Sequence, residues 1–243
     1  MFSPELMVLE ETTSTQEVAV RMALEGGVSG ATVMALNQTK GRGRSGSQWI
    51  SPPGKNLALS MIVRPNIEVL KTPLIGMLSA ICAAETVDDF CRPFRAQLKW
   101  PNDVLVEGKK IAGIISEARF LGKTVDFIVV GVGLNVNSKA EDFPNQLRES
   151  LTSFLSLTGK IVDLRAVATT FLQGMSELLN RVESVGPDFI PLQWERRWVH
   201  KGMKLVRDGI TGTAIALDSD GSLLLKLSDG KILKISSGTT SCS

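Results

Sequence analysis

Segment 37–56 constrains the fold more than any other part of this chain of 243 residues. It carries four cations, no acid, and glycines at 41, 43, 46 and 54. Its run Gly41–Gly46 matches G-x-G-x-x-G, a dinucleotide-binding fingerprint that requires a helix to begin at the last glycines. Because Pro52-Pro53-Gly54 follows closely, no helix fits there. The segment is therefore predicted to be a loop, which argues against a nicotinamide enzyme.

The same loop is suited to bind a small anion. Glycine lets backbone N–H groups turn toward a ligand, and clustered guanidinium groups match the oxygens of carboxylates and phosphates. A solvated tether or a nonspecific nucleic-acid contact has a similar composition, so the loop alone leaves both interpretations open. The net charge of +2 is too small for a protein that binds DNA or RNA through many phosphate contacts.

The composition indicates a globular protein without targeting segments. Hydrophobic residues make up 43% of the chain and charged residues 21%, and the length suits one large domain and one small domain. The acidic N-terminus (Glu5, Glu10, Glu11) is unlike a signal peptide, and no apolar stretch approaches the length that spans a bilayer. Three cysteines without metal-ligand spacing are typical of a reducing compartment. We therefore expect a cytoplasmic protein that does not bind membranes.

The histidine content limits the chemistry. His200 is the only histidine, and we expect a structural or surface role for it, because no acid or nucleophile motif flanks it. A Ser-His-Asp catalyst would depend on that one residue, and a histidine-rich zinc site is excluded. Any reaction must therefore use Lys, Arg, Asp, Glu and bound metal.

Hydrophobic periodicity predicts an α+β fold in which a mixed β-sheet packs with helices. Strands are predicted at 6–10, 31–36, 57–63, 95–100, 104–106, 111–118 and 125–134. Helices are predicted at 73–90, 150–157, 163–183 and 187–200, and after Ser14, which has capping-box spacing to Glu17. Short strands separated by Asp-Gly turns, such as Asp208-Gly209, follow Met203 and predict a small β-barrel. The predicted domains are residues 1–200 and 201–243.

Four polar clusters lie at predicted strand ends or turns, where functional groups commonly gather. They are Ser14-Thr15-Gln16; Gln38 with the Gly41–Gly46 loop; Lys99-Trp100-Pro101-Asn102-Asp103 with Lys110; and Gly131-Val132-Gly133-Leu134-Asn135-Val136-Asn137. In this order and spacing they resemble the biotin–protein ligases, from Ser14 to Asn135 and more weakly through the small barrel. Each element alone is weak, and the specificity lies in the set.

The resemblance implies a class II synthetase-like catalytic domain of the biotin–lipoate ligase type and an SH3-like C-terminal β-barrel. Biotin and ATP would react, with Mg²⁺, to give biotinyl-5′-adenylate and pyrophosphate. The biotinyl group would then pass to one lysine of the biotin carboxyl carrier domain of acetyl-CoA carboxylase or a related carboxylase. The nucleophile belongs to the substrate, in keeping with the single histidine. The resemblance also implies a homodimer, because sheet edges in this family often pair between subunits.

Residue roles follow from the resemblance at matching positions. Biotin would contact Ser14, Thr15, Gln38, Gly41, Arg42, Lys110, Gly113 and Gly131. ATP would contact Arg44, Trp49, Lys99, Asn102, Lys110 and Asn135. Three residues would be catalytic: Arg44 and Lys110 by neutralising the α-phosphate and the attacking carboxylate, and Asp103 as a Mg²⁺ ligand or as a base toward the acceptor lysine. Structural alternatives are a helix cap for Ser14, a hairpin surface lysine for Lys110 and core packing for Trp49.

The chain departs from the family pattern in places. Ser47 stands where many relatives carry another basic residue, and the C-terminal run 237–243 lacks the arginine that relatives often place near the chain end. The first strand follows Met1 almost directly, without a helix-turn-helix segment, so DNA binding is not expected. Two other functions compete: a lipoate–protein ligase, whose Arg-Arg-x-x-Gly-Gly-Gly motif does not occur here, and a biotin-binding protein without catalysis.

Overall fold

A computed structural model describes residues 4–207, 209–238 and 241–242, in which the strands form two sheets. The large sheet contains β1 (Glu5–Thr12), β2 (Ala31–Gln38), β3 (Leu57–Val63), β4 (Gln97–Lys99), β5 (Asp103–Val106), β6 (Lys109–Leu121) and β7 (Thr124–Leu134). The α-helices are α1 (Thr15–Leu24), α2 (Pro73–Phe90), α3 (Phe154–Thr158), α4 (Leu164–Val185) and α5 (Ile190–Glu195). The small sheet contains β8 (Lys204–Arg207), β9 (Ile210–Leu217), β10 (Leu223–Lys226), β11 (Ile232–Ile235) and β12 (Ser241–Cys242).

The large sheet has the strand order β1-β2-β3-β7-β6-β5-β4. Its strands pair antiparallel except β1 and β2, which are parallel. A parallel pair needs a crossover connection, and α1 lies on the connection between β1 and β2. Every residue of β3 is buried, as expected for an apolar strand at the centre of a sheet. The predicted mixed sheet is thus confirmed.

The two faces of the large sheet are covered differently. Met61 and Val63 of β3 belong to the main core, to which α2 and α4 also contribute, whereas Ile62 packs in a smaller cluster with α1. Because side chains alternate along a strand, Ser60 and Gly131 lie on the α1 face. Helix α1 has only 10 residues, so it covers only part of this face. The polar clusters gather on the remaining part.

Helix α2 lies in the centre of the core. Fourteen of its 18 residues are buried, as expected for a helix that is apolar on all sides. By length and composition, Val69–Phe90 is long and apolar enough to cross a membrane, contrary to the expectation that no stretch approaches that length. However, 67% of the apolar window is buried inside the fold, and packing in the core accounts for its composition.

The small sheet has the order β11-β10-β9-β8-β12 and consists of antiparallel pairs, as predicted for the C-terminal β-barrel. A turn closes at Asp218–Gly221, where the Gly221 N–H donates to the Asp218 carbonyl over 2.9 Å. The predicted Asp208-Gly209 turn includes Asp208, which lies outside the described residues. The domain boundary between residues 200 and 201 stays a prediction, and the first strand of this sheet begins at Lys204.

Three local predictions were wrong. The helix predicted at 187–200 is the shorter α5, because the chain then turns and pairs Trp198 with Leu98. The strand predicted at 95–100 is reduced to β4. The capping box at α1 does not form: Ser14 is the N-cap residue but makes no side-chain capping bond, and Glu17 instead accepts a hydrogen bond from the Thr13 hydroxyl at 2.7 Å.

Candidate active site

A cavity of about 350 Å³, here called the main cavity, lies on the α1 face of the large sheet. It is bounded by the start of α1, the glycine-arginine loop, the turn between β4 and β5, and the strands β6 and β7. Of the 14 predicted site residues, 12 line it: Ser14, Thr15, Gln38, Arg42, Arg44, Trp49, Lys99, Asn102, Asp103, Lys110, Gly113 and Gly131. Residues from separated turns thus converge, as the sequence predicted.

One end of the main cavity is a network of neutral donors and acceptors. The Thr15 hydroxyl donates to Gln38 Oε1 at 3.0 Å and lies 2.9 Å from Ser60 Oγ. The Ser60 hydroxyl donates to Gln16 Oε1 at 3.1 Å, and Gln16 Nε2 donates to the Val129 carbonyl at 3.1 Å. Because Thr15, Gln16 and Ser60 are buried, helix and sheet hold these groups in fixed positions. This end can pair a ligand that carries both donors and acceptors.

Ser14 lies beside this network without joining it. The residue is 1% exposed, and its Oγ has no hydrogen-bond partner among the described residues. A buried hydroxyl without a partner costs about 1–3 kcal/mol. A ligand that forms a hydrogen bond with this hydroxyl would remove the cost. A side-chain capping bond to α1 would also have removed it, but that bond does not form.

Strands β6 and β7 form the floor of the main cavity, and glycines on these strands carry no side chains that would fill the space. A Cβ at Gly131 would lie 2.6 Å from Gln16 Oε1, and a Cβ at Gly133 would collide with the Trp49 ring. A Cβ at Gly113 would lie 3.0 Å from Trp49 Cζ3. The Trp49 indole therefore lies directly against β6 and β7, and its Nε1 is buried without a partner among the described residues. Trp49 is a wall of the site rather than part of the main core.

Four cationic residues line the main cavity (Arg42, Arg44, Lys99 and Lys110), and two of them, Arg44 and Lys110, lie with one carboxylate at its other end. Lys110 Nζ lies 2.6 Å from Asp103 Oδ1 and 5.4 Å from the centroid of the Trp49 ring. Arg44 Nη1 donates to Asn102 Oδ1 at 3.4 Å, and Asn102 Nδ2 donates to the Ile114 carbonyl at 2.8 Å. Burial lowers the pKa of Arg44 from its usual value, while the charge of Asp103 opposes that shift. The Lys110 side chain is 30% exposed, so it is not a solvated hairpin lysine.

The glycine-arginine loop forms one side of the main cavity. Within it, Arg44–Gly46 forms a single 3₁₀ turn, and Arg42 and Gln48 form an isolated antiparallel bridge. The prediction that no α-helix begins there is therefore confirmed. The Arg42 guanidinium, which was predicted to hold the biotin carboxylate, instead pairs with Glu117 of β6, with Nη2 3.2 Å from Oε1. Both side chains are about half exposed, and Arg42 also lines the main cavity.

Two predicted site residues, Gly41 and Asn135, do not line the main cavity. Gly41 is buried against Trp49, whose backbone N–H donates to the Gly41 carbonyl at 2.9 Å. Asn135 is 1% exposed, and its Nδ2 donates to the Thr152 carbonyl at 3.0 Å. Asn135 lines instead an adjoining space of about 330 Å³, the side cavity, which shares with the main cavity Gln48, Trp49, Lys99, Asp103 and Lys110. A nucleotide contact by Asn135 would have to occur there.

Gln16 and Ser60 line the main cavity, although the sequence predicted no role for either residue. A signal for Ser60 was present, because it is the only polar residue in the strand Leu57–Val63. A polar residue in a fully buried strand needs a partner, and Gln16 and Thr15 provide it. Gln16 could have been found from its place beside Ser14 and Thr15.

The geometry defines a class of protein. A neutral polar pocket can hold a small molecule at one end, while Arg44 and Lys110 draw its anionic group toward a second anion at the other end. The side cavity adjoins the cations and offers room for the remainder of that second reactant. Such a site is suited to activate a carboxylate with a nucleotide.

Comparison with known proteins agrees with this class. The family model described as "Biotin/lipoate A/B protein ligase family" matches residues 8–135, and the model "Biotin protein ligase C terminal domain" matches residues 204–241. The bifunctional ligase/repressor BirA of Bacillus spizizenii is 32% identical over 93% of this chain and 70% of its own length. The biotin–[acetyl-CoA-carboxylase] ligase of Paracoccus denitrificans is 30% identical over 90% of this chain and 93% of its own length.

Solved structures agree as well. The biotin protein ligase of Aquifex aeolicus, in complex with biotin and ATP, superimposes with a TM-score of 0.80 and 31% identity, covering 98% of this chain and 97% of that protein. The chain belongs to the biotin/lipoate A/B protein ligase family. The SH3-like assignment of the small barrel is consistent with the match of its C-terminal domain model.

Proposed function

We propose that this chain is an ATP-dependent biotin–protein ligase. The observation that carries the proposal is the main cavity, where the neutral network around Thr15 and Gln38 and the cations Arg44 and Lys110 share one space. Biotin has a ureido ring with donors and acceptors and a carboxylate at the other end of its side chain, so both ends of the cavity match it. The Aquifex relative in complex with biotin and ATP supports the choice of these substrates over lipoate.

The first step joins two anions. A carboxylate oxygen of biotin bonds to the α-phosphorus of ATP, while the bond from that phosphorus to the bridging oxygen breaks and pyrophosphate leaves with the electron pair. Arg44 and Lys110 offset the repulsion between carboxylate and phosphate and the charge that develops between them. The neutral network holds the ureido ring, and pairing of its polar groups discriminates against analogues that lack them. The step needs no protein nucleophile.

The second step transfers the biotinyl group. The ε-amine of a lysine on a biotin carboxyl carrier domain, after losing its proton, bonds to the activated carbonyl carbon, and AMP leaves with the electron pair of the broken bond. The Paracoccus relative is named for the acetyl-CoA carboxylase that it modifies, which supports a carrier domain of this kind as the acceptor. Asp103, 2.6 Å from Lys110, is the only carboxylate among the described residues that line the main cavity, and it is the candidate base.

Mg²⁺ fits the site as an ion that arrives with ATP. Among the described residues, no group of three or more His, Cys, Asp or Glu side chains could hold a metal ion alone. Mg²⁺ is commonly bound by one or two carboxylates together with substrate phosphates, and Asp103 lines the main cavity. The ion would neutralise phosphate charge. Both roles of Asp103, metal ligand and base, stay predictions.

The direct test is incubation with ATP, Mg²⁺, biotin and a biotin carboxyl carrier domain, read by streptavidin blot and by pyrophosphate release. Labelled lipoate in a parallel reaction tests the lipoate alternative. Biotin binding without pyrophosphate release would instead support the non-catalytic binding protein. The remaining expectations stay predictions: a homodimer, a cytoplasmic location, and no binding to DNA or membranes.

The variant Lys110→Ala tests the role of the cations. We expect pyrophosphate release to fall by about two to three orders of magnitude, because one group that stabilises developing charge is lost, while biotin binding stays measurable by calorimetry. Lys109→Ala is the matched control, since Lys109 is the exposed neighbour on the same strand. Near-normal pyrophosphate release by Lys110→Ala would contradict the assignment.

A further inference from the structure

Four side-chain oxygen atoms lie in a row at the neutral end of the main cavity. They are Gln38 Oε1, Thr15 Oγ1, Ser60 Oγ and Gln16 Oε1, and the successive distances between them are 3.0, 2.9 and 3.1 Å. All four residues line the cavity, and Thr15, Gln16 and Ser60 are at most 3% exposed. Two oxygen atoms at such a distance attract each other only when a proton lies between them. The row therefore needs three protons.

The orientation of both amide groups in the row is set by backbone partners. Gln38 Oε1 accepts the Thr15 backbone N–H at 2.8 Å, and Gln16 Nε2 donates to the Val129 carbonyl at 3.1 Å. Turning the Gln38 amide around would bring its NH₂ group against another N–H donor. Turning the Gln16 amide around would bring its oxygen against a carbonyl oxygen. Both amides therefore present an acceptor, and no donor, to the two hydroxyl groups.

The two hydroxyl groups have too few protons for these contacts. Thr15 and Ser60 can each donate one proton, whereas the row has three contacts. If Ser60 donates to Gln16, the Thr15 proton can serve either Ser60 or Gln38, but not both. If Ser60 donates to Thr15 instead, Gln16 Oε1 loses its hydroxyl donor. The row is therefore one donor short in every arrangement, and a donor can reach it from the main cavity.

A ligand N–H group can supply the missing donor, whereas a ligand that offers only oxygen there leaves a buried acceptor unpaired, which weakens its binding. We propose that Gln16 and Ser60 are positioning residues for substrate specificity. Because Gln16 takes up the Ser60 proton, an oxygen of the row stays free to accept from the ligand, and the pocket selects a cyclic urea over a cyclic carbamate or carbonate. This proposal rests on the proposed function and deepens it, because it states which feature of the biotin ring is selected.

The test compares biotin with its two cyclic carbamate analogues, in each of which an oxygen atom replaces one ureido N–H. In calorimetry without nucleotide, the wild type is expected to bind at least one analogue about tenfold or more weakly than biotin, the effect of one hydrogen bond to a buried acceptor. In Gln16→Met the acceptor at the end of the row is gone, so two protons serve two contacts. The preference for biotin is then expected to fall to about threefold or less.

Two further proteins separate specificity from packing. Ser60→Ala combined with Gln16→Met leaves one hydroxyl proton for one remaining contact, so the low preference is expected to persist. Gln193→Met is the matched control, because Gln193 lies in α5 and does not line the main cavity. It is expected to keep the wild-type preference. If Gln16→Met loses affinity for biotin and for both analogues by the same factor, the role of Gln16 is packing alone and the proposal is overturned.

Equal affinity of the wild type for biotin and both analogues would also overturn the proposal, and this measurement needs no variant that must fold. If the wild type binds biotin with the expected preference but releases no pyrophosphate, only the proposed catalysis fails. If it does not bind biotin, the proposed function fails by itself. Titration with imidazolidin-2-one and oxazolidin-2-one, followed by NMR of the protein, then decides. A preference for the cyclic urea that Gln16→Met reduces supports the proposal, and equal binding or no binding overturns it.

Discussion

Single residues show where local rules and ligand binding compete. Ser14 has the sequence of a helix cap, yet its hydroxyl is buried in the main cavity without a partner among the described residues. Local sequence predicts the cap because serine at an N-cap commonly accepts a helix N–H. A site residue that gives up such a bond keeps its hydrogen-bonding capacity for the ligand, and it loses stability in the empty protein.

Replacing Ser14 tests that idea. Ser14→Ala is expected to weaken biotin binding about tenfold, since one hydrogen bond to a ligand would be lost. The melting temperature is expected to stay the same or rise, because a buried hydroxyl without a partner disappears. Both are measured by calorimetry.

Ser79→Ala is the matched control for Ser14→Ala. Ser79 is equally buried, but its hydroxyl donates to the Ile75 carbonyl within α2 at 2.8 Å, away from the main cavity. Its replacement is expected to leave biotin affinity unchanged. A Ser14→Ala protein with wild-type affinity would show that this hydroxyl does not bind biotin.

At the scale of elements, the sequence predicted the strands of the large sheet well, but it did not predict how those strands pair. The apolar runs of β3, β7 and α2 were found with bounds close to the observed ones, because long buried elements have strong periodicity. The order β1-β2-β3-β7-β6-β5-β4 was not predicted, since pairing depends on contacts between distant segments. The same limit applies to Arg42, whose partner Glu117 lies 75 residues further along the chain.

The bare floor formed by β6 and β7 gives an element-scale prediction. Gly131→Ala is expected to weaken biotin binding about tenfold or more and to destabilise the fold by about 1–3 kcal/mol, because the added methyl group would lie 2.6 Å from Gln16 Oε1 and 2.9 Å from Ile115 Cγ1. Urea denaturation measures the stability, and calorimetry measures the affinity.

Gly174→Ala controls for overpacking elsewhere. A Cβ at Gly174 would lie 2.9 Å from Cys82 Sγ in the helical core, so the stability can change there while biotin affinity is expected to stay the same. Full biotin affinity in Gly131→Ala would mean that the ligand does not approach this part of the floor.

At the scale of the molecule, the two domains meet at the candidate site. The two-domain organisation and the barrel could be predicted, because the periodicity changes from helical to alternating near residue 200. The sequence did not predict that Gly221 contacts Trp100 or that Arg207 lies near Arg44. Both contacts depend on how the two domains pack against each other, and no local sequence motif predicts that packing.

The only histidine gives a whole-molecule prediction of pH dependence. His200 is 8% exposed at the domain junction, and its Nδ1 has no partner among the described residues. Burial and then the charge of Lys99 lower its pKa from the usual value of 6.5. Below pH 6.5 the unfolded chain therefore binds a proton that the folded chain resists, so the free energy of unfolding is expected to fall as the pH falls from 7 toward 5.

His200→Gln is expected to reduce the loss in the free energy of unfolding between pH 7 and pH 5. Urea denaturation of both proteins at pH 7, 6 and 5 gives the difference in the free energy of unfolding, in which the shared carboxylates such as Asp142 and Asp218 cancel. At pH 7 the histidine is mostly neutral in both states, so the difference there reports mainly packing. As the pH falls, the difference is expected to shift in favour of His200→Gln. Parallel profiles for the two proteins would show that His200 is protonated as easily in the folded chain as in the unfolded one.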